Sequence, residues 1–152
     1  MNDKVFADTL YWVAVLNPKD QWHRQAVETR KLLGDVTIIT TETVLIEVLN
    51  YFSEYGSLAR KSAVDAVRTI IIDEEVEYLP HTSESFTAAL NFYEKRLDKG
   101  YSLTGCVSML TMKKLGLQEI LTHDNHFEQE GLTILLRNLF FLDKQIVSAY
   151  LV

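Results

Sequence analysis

Short apolar runs alternate along this chain with longer stretches of helical period. The first run, Val5-Phe6-Ala7, stops at a polar residue, Asp8. That is the pattern of a buried strand with a polar tip. Leu10 to Leu16 continues as a helix, and Asn17-Pro18-Lys19-Asp20 is a turn that can start another. In that second helix Trp22, Ala26, Thr29 and Leu33 fall near one face, and Gly34 ends it. Val36 to Thr40 is rich in β-branched residues and predicts a second strand.

Thr41 or Thr43 caps the next helix, which turns Val44, Leu45, Val48, Leu49 and Phe52 inward and breaks at Gly56. Leu58 to Ile72 is helical by pattern, Val76 to Leu79 is a third strand, and Ser83 to Leu97 is helical again. After the Lys99-Gly100 turn, Ser102 caps a helix that runs to about Leu115 and closes at Gly116. Ile120-Leu121-Thr122 is a fourth strand with Asp124 just past its tip, and Leu132 to Leu135 is a fifth. The tail from Arg137 carries Leu139, Phe140, Phe141, Leu142, Ile146, Val147 and Leu151. It reads as a last amphipathic helix, packed on its own domain or serving a dimer or partner interface. Strands alternating with helices predict an α/β fold in three layers. A mostly parallel central sheet of about five strands is then flanked by helices. Ligands of such folds sit at the carboxyl ends of the strands, near a topological switch point.

Composition narrows the field. The chain has 152 residues, 47% of them hydrophobic and 24% charged, which suits one globular domain spanning 1–152 that buries a core without staples. Cys106 is the only cysteine, so no internal disulfide can form, and a reducing cytoplasm is the expected compartment. Met1-Asn2-Asp3-Lys4 leads straight into the first strand without a signal-peptide core. No apolar stretch has membrane-spanning length, so no membrane partner is expected. The net charge of −6 argues against an indiscriminate nucleic-acid binder, whose affinity would come from neutralising phosphates. An acidic protein can still cut RNA where bound cations mask its carboxylates, although on charge alone solubility is the simpler use of excess acid.

Three carboxylates stand where chemistry is expected. Asp8 ends the first strand, Asp124 follows the fourth, and Glu47 lies inside Val44-Leu45-Ile46-Glu47-Val48-Leu49. An acid in such an apolar run is costly to bury unless a cation or donor satisfies it. Acids sharing one crevice repel unless a divalent ion intervenes. Mg²⁺ and Mn²⁺ take oxygen ligands and suit phosphodiester hydrolysis. Spacing alone leaves three plainer readings open: a helix cap at Asp8, a solvated helix edge at Glu47, and a turn residue at Asp124.

The string Val5-Phe6-Ala7-Asp8-Thr9, with Trp12-Val13-Ala14 after it, resembles the opening motif of PIN domains. Thr40-Thr41-Glu42-Thr43-Val44-Leu45-Ile46-Glu47-Val48-Leu49 resembles the second motif, with Glu47 as its acid. Ile120-Leu121-Thr122-His123-Asp124-Asn125-His126-Phe127 resembles the last, with Asp124 as its acid. Tyr101-Ser102-Leu103-Thr104-Gly105-Cys106 resembles the remaining one, but Gly105 stands where the family carries Asp. The four motifs in order, over residues 5–135, are similar to the VapC-like toxin branch. That resemblance implies an endoribonuclease using Mg²⁺ or Mn²⁺, often a homodimer silenced by a small antitoxin. It also implies that Asp8 and Asp124 hold metal, that Glu47 supports metal or water, and that Thr9 and Thr122 supply nearby hydroxyls.

Gly105 departs from that pattern. Ser102-Leu103-Thr104-Gly105 has capping-box spacing, in which an acid at the last position would help the helix start. Glycine costs about 0.5–1 kcal/mol relative to Ala inside a helix, so local helix physics does not ask for it. Weak or absent cleavage is expected, with Asp98 and Glu42 as the candidate substitutes for the missing acid. The alternative function is a catalytically inactive PIN-fold module that binds a protein partner or RNA. A phosphoacceptor domain ranks last, because Asp8 is followed by Thr9 rather than a second acid.

Other residues have plainer expectations. His23 reads as a helix-surface residue beside Trp22, His123 as a loop residue, and His126 as part of a helical turn before Phe127. Cys106 reads as a small buried hydrophobe. Trp12, Trp22, Tyr51, Phe52 and Tyr55 are core residues by helical spacing, with base stacking as the alternative. Arg60, Lys61, Lys113 and Lys114 read as a solvated face rather than phosphate contacts.

Overall fold

The short apolar runs pair side by side because their backbone groups must be satisfied within a sheet, and the central run, Val5-Phe6-Ala7, is buried on both faces. The computed structural model describes residues 3–137. Five strands form the sheet: β1 (Lys4–Ala7), β2 (Thr37–Thr41), β3 (Val76–Leu79), β4 (Glu119–Leu121) and β5 (Thr133–Ile134). Their order is β3-β2-β1-β4-β5, and every described pairing is parallel. Val5 faces Ile38 and Phe6 faces Ile39 on one side of β1, while Phe6 and Ala7 meet Ile120 and Leu121 on the other.

The connections are helical: α1 (Thr9–Leu16), α2 (His23–Leu33), α3 (Glu42–Tyr51), α4 (Ser57–Ile72), α5 (Ser83–Glu94) and α6 (Leu103–Leu115). A short 3₁₀ helix, Asn125–Glu130, joins β4 to β5. Val5, Phe6 and Ala7 are all buried although their side chains alternate in direction, so helices cover both faces and the architecture is a three-layer α/β sandwich. Phe6, Ile39, Met112, Ile120, Leu121 and Phe127 are among the largest fully buried side chains of the core.

Helix ends follow local chemistry. Thr41, not Thr43, caps α3, and its side chain accepts the Val44 amide. Ser102 caps α6 by accepting from the Gly105 amide, and α6 closes on Gly116, which holds the left-handed conformation (φ 68°) that glycine adopts without cost. Several boundaries move from their predicted places. The strand after α2 runs Thr37–Thr41 rather than 36–40, the fourth strand runs Glu119–Leu121, and the fifth shortens to Thr133–Ile134. Helix α3 stops at Tyr51, and Gly56 caps α4 instead of ending α3. Helix α5 stops at Glu94 rather than reaching Leu97, because Arg96 and Lys99 enter tight turns. The predicted tail helix beyond Arg137 lies outside the described residues.

The core location gives a direct test. Phe6→Ala should cost roughly 3–5 kcal/mol of unfolding free energy. Leu58→Ala, at a position 85% exposed, should change it by less than about 0.5 kcal/mol. Urea denaturation measures both, and a small loss at Phe6 would contradict the central place of β1.

Candidate active site

From β1 the chain steps outward through β2 to β3, then returns to place β4 on the opposite flank of β1. The carboxyl ends of β1 and β4 therefore border the switch point where α/β folds form their crevice. Asp8 stands at the end of β1, and its amide donates to the Leu121 carbonyl at 3.2 Å, tying the two strand ends together. Behind it, Trp12 Nε1 donates to Thr40 Oγ1 (3.2 Å), and that hydroxyl donates to the Ala7 carbonyl (3.0 Å). The backbone that presents Asp8 is thus braced by buried polar contacts on both sides.

Thr122 lies just past β4, fully buried, and donates from Oγ1 to Asp8 Oδ2 at 3.1 Å. The same oxygen accepts the Asp124 amide at 3.2 Å, so one hydroxyl links the two acids. Asp124 caps the 3₁₀ helix, accepting at Oδ1 from the His126 amide (2.9 Å), with His126 Nδ1 3.2 Å from the same oxygen. Glu47 is half-buried on α3, three residues after buried Val44 and one before buried Val48. It therefore lies at the edge of the helix's apolar face.

Electrostatics mark Asp8 as the unusual group. Burial raises its pKa from an ordinary 3.8 to about 7, against lowering by hydrogen bonds from the Thr9 amide and Thr122, and the charges of Glu47 and Asp124 push it further up. Both other acids are thus near enough to repel it. Among the described residues no three His, Cys, Asp or Glu side chains gather closely enough to form a ready-made ligand cluster. Thr9 Oγ1 is buried beside Asp8 without a hydrogen-bond partner. An oxygen-only donor set with a desolvated carboxylate and an unsatisfied hydroxyl fits a hard divalent cation held by one or two carboxylates and completed by water.

Gly105 sits in the first turn of α6, and its φ is not among the positive values found at other glycines. No backbone demand selects glycine there. An added Cβ would come 3.2 Å from Ser102 Oγ, close enough that Ser102 must yield slightly. The candidate substitutes are engaged elsewhere: Glu42 accepts from Tyr78 Oη (2.7 Å) and the His81 amide (3.3 Å), and exposed Asp98 pairs with Lys99 at 3.7 Å.

Other expectations are corrected by contacts that join distant parts of the chain. His23 is not simply a surface residue, because its Nδ1 lies 2.7 Å from the Ala14 carbonyl and fastens α2 to α1. His123 is not an idle loop residue; it stacks on Trp22 at 4.4 Å with the rings 7° from parallel. Tyr51 and Tyr55 are exposed rather than core, and they stack on one another at 5.3 Å, while Trp12 and Phe52 are buried. Cys106 is buried as expected. Arg60 donates to the Ser53 carbonyl and Lys61 pairs with Asp65, both at the exposed face of α4. Sequence reading missed the His126–Asp124 contact, although Asp-x-His before an apolar residue is the spacing of an Asp-centred turn.

A five-strand parallel sheet flanked by helices, with Asp8 and Asp124 at neighbouring strand ends, defines a three-layer α/β protein. The PIN domain family model matches residues 5–130, and the chain belongs to that family. Among solved structures it is similar to VapC20 of Mycobacterium tuberculosis, described as a sarcin-ricin loop cleaving toxin. The TM-score is 0.76 and identity 22%, covering 85% of this chain and 96% of that one. VapBC2 of Rickettsia felis, solved on a DNA fragment from its promoter, gives 0.62 at 14% identity, covering 86% and 96%. FitAcB of Neisseria gonorrhoeae gives 0.61 at 14%, covering 86% and 95%. At these identities the likeness is one of fold. A search of the curated proteins finds no match.

The raised pKa of Asp8 carries a stability consequence. Folding binds its proton more tightly, so stability falls as pH rises from about 3.8 to about 7 and the loss is complete above that. The interval corresponds to roughly 4 kcal/mol as an upper figure. Asp8→Asn should therefore match the parent near pH 4 and exceed it at pH 8 in chelator, measured by chemical denaturation. An advantage independent of pH would contradict the burial of this charge.

Proposed function

We propose that this chain is a metal-dependent endoribonuclease of the toxin–antitoxin type, hydrolysing RNA phosphodiester bonds and weakened by Gly105. The observation that carries the reading is the buried Asp8 carboxylate at the switch point, raised to about 7 chiefly by burial, with the charges of Glu47 and Asp124 pushing the same way. In this reading Asp8 and Asp124 hold Mg²⁺ or Mn²⁺, and Glu47 supports the ion or its water. Such an ion lowers the pKa of an attacking water and offsets charge on the leaving oxygen. Thr122 fixes Asp8 by its hydrogen bond, and the unpartnered Thr9 hydroxyl is available to a water or a phosphate oxygen. Hydrolysis joins the water oxygen to phosphorus and breaks one phosphorus–oxygen bond of the backbone.

The partners in this reading are RNA, a small antitoxin protein and a second copy of the chain, in the cytoplasm. Exposed Phe86, Leu90 and Tyr93 at helical spacing on α5 support a protein-facing surface. No described helix is long and apolar enough to cross a membrane. A second reading, a PIN-fold module that binds RNA or protein without cutting, draws support from Gly105 and from the lack of a three-acid cluster among the described residues.

RNA cleavage with Mg²⁺ or Mn²⁺ separates the two. The chain itself should cut weakly or not at all. Gly105→Asp should raise cleavage on the order of 100-fold, the scale of one preorganised charged group, and adding Asp8→Asn should abolish the gain. A Gly105→Asp protein that stays inert on varied RNAs favours the binding module.

A further inference from the structure

Two pairs of stacked aromatic rings lie outside the acids at the strand ends. The first is half-buried: Trp22 and His123 stack with centroids 4.4 Å apart and planes 7° from parallel. His123 is the residue before Asp124. The second is open to solvent: Tyr51 and Tyr55, 38% and 58% exposed, stack at 5.3 Å with planes 21° apart. Tyr51 stands one helical turn after Glu47 on α3, on the same side of that helix. Each pair therefore starts next to a candidate acid, by one residue or by one turn. The segment between α1 and α2 joins the two pairs. Asp20 Oδ1 accepts the Trp22 amide at 2.8 Å, and the Asp20 amide donates to the Asn17 carbonyl at 2.9 Å. Asn17 in turn lines a cavity of about 290 Å³ together with Tyr55, Phe52 and Leu16. Lys19 and Arg24, before and after Trp22 in sequence, are exposed.

We propose that these rings form a stacking track for the unpaired bases of a single RNA strand, leading to the acids at the strand ends. The proposal rests on the RNA-cutting reading above and deepens it by naming the substrate as unpaired. Aromatic faces hold bases of any sequence, because every base has a π-face. Stacking also suits a chain whose Lys and Arg number 15 against 21 Asp and Glu, since it adds affinity that phosphate neutralisation cannot supply here. Bases inside a duplex have their faces covered, so such a track selects loops, bulges and free strands. Exposed rings lying near-parallel repeat the geometry of a base stack, and Tyr and Trp offer that area at low entropic cost.

Fluorescence anisotropy of an end-labelled RNA of about eight nucleotides, within the span of a single-strand site, tests the track. The titration is run on the full chain in Mg²⁺, and a gel confirms that the strand stays whole. The parent should bind the strand roughly tenfold more tightly than the same sequence annealed to its complement. Tyr55→Leu should weaken strand binding roughly tenfold, the scale of one lost base stack, and Tyr55→Phe should restore it. Because Tyr55 is exposed, both variants should unfold at the parent's temperature. Unlabelled strand should quench tryptophan emission, and Trp22→Phe should lose that quench, since Trp12 is 6% exposed. Equal strand affinity in Tyr55→Leu and the parent overturns the track and leaves these rings as a protein-facing surface. A quench that survives in Trp22→Phe overturns it as well, and so does a parent that binds the duplex equally or binds neither RNA. The nuclease reading is decided separately, by cleavage with Gly105→Asp.

Discussion

Everything at the switch point depends on keeping one carboxylate out of water. Asp8 is 6% exposed, directly after the buried run Val5-Phe6-Ala7. Desolvation opposes its charge, and the acids facing it add repulsion. Against these stand two hydrogen bonds, from the Thr9 amide and the Thr122 hydroxyl, and they do not restore the ordinary pKa. The scaffold therefore holds Asp8 in a state that a proton or a cation would relieve. The β1–β4 pairing, the Asp8-to-Leu121 backbone bond and the Trp12–Thr40–Ala7 brace keep that group from rotating out to solvent.

The charge balance of the whole chain gains meaning from this local arrangement. A protein of net charge −6 repels a polyanion at long range. That repulsion is screened beyond about 8–10 Å at physiological ionic strength. Charges beside the buried Asp8 are screened far less. In the proposed reading, a cation at the point of contact is what lets an acidic protein meet RNA. On α5, Phe86, Leu90 and Tyr93 are exposed at helical spacing, an apolar surface rather than a charged one.

Much of this was legible in the chain before any coordinates. Strand and helix order follows from periodicity, and the end of β1 at Asp8 is written in Val5-Phe6-Ala7-Asp8. The caps at Ser102 and Gly116 follow from local rules that need only a few neighbouring residues. The sites that stayed hidden share another trait: they join residues far apart in sequence. Trp22 and His123 stack across 101 positions, Thr122 bonds Asp8 across 114, and Tyr101 reaches Glu130 across 29. Period and propensity carry no information about such pairings. Element ends drift for a related reason, since β5 is trimmed by its pairing with β4, a tertiary fact rather than a local preference.

Gly105 joins the two scales. At the helix level it is merely tolerated, because Ser102 caps the same turn through the Gly105 amide and that bond needs no side chain. Against the family motif it leaves out the acid that the resemblance implies at this position. Helix, cap and core survive the substitution, so nothing in stability would select against it. A fold that keeps Asp8 buried beside the Thr122 hydroxyl retains the cost of a desolvated charge. The persistence of Asp8 in its desolvated place is then the feature that needs explaining, and a resident cation or a tight RNA or protein ligand at this crevice is what would offset it.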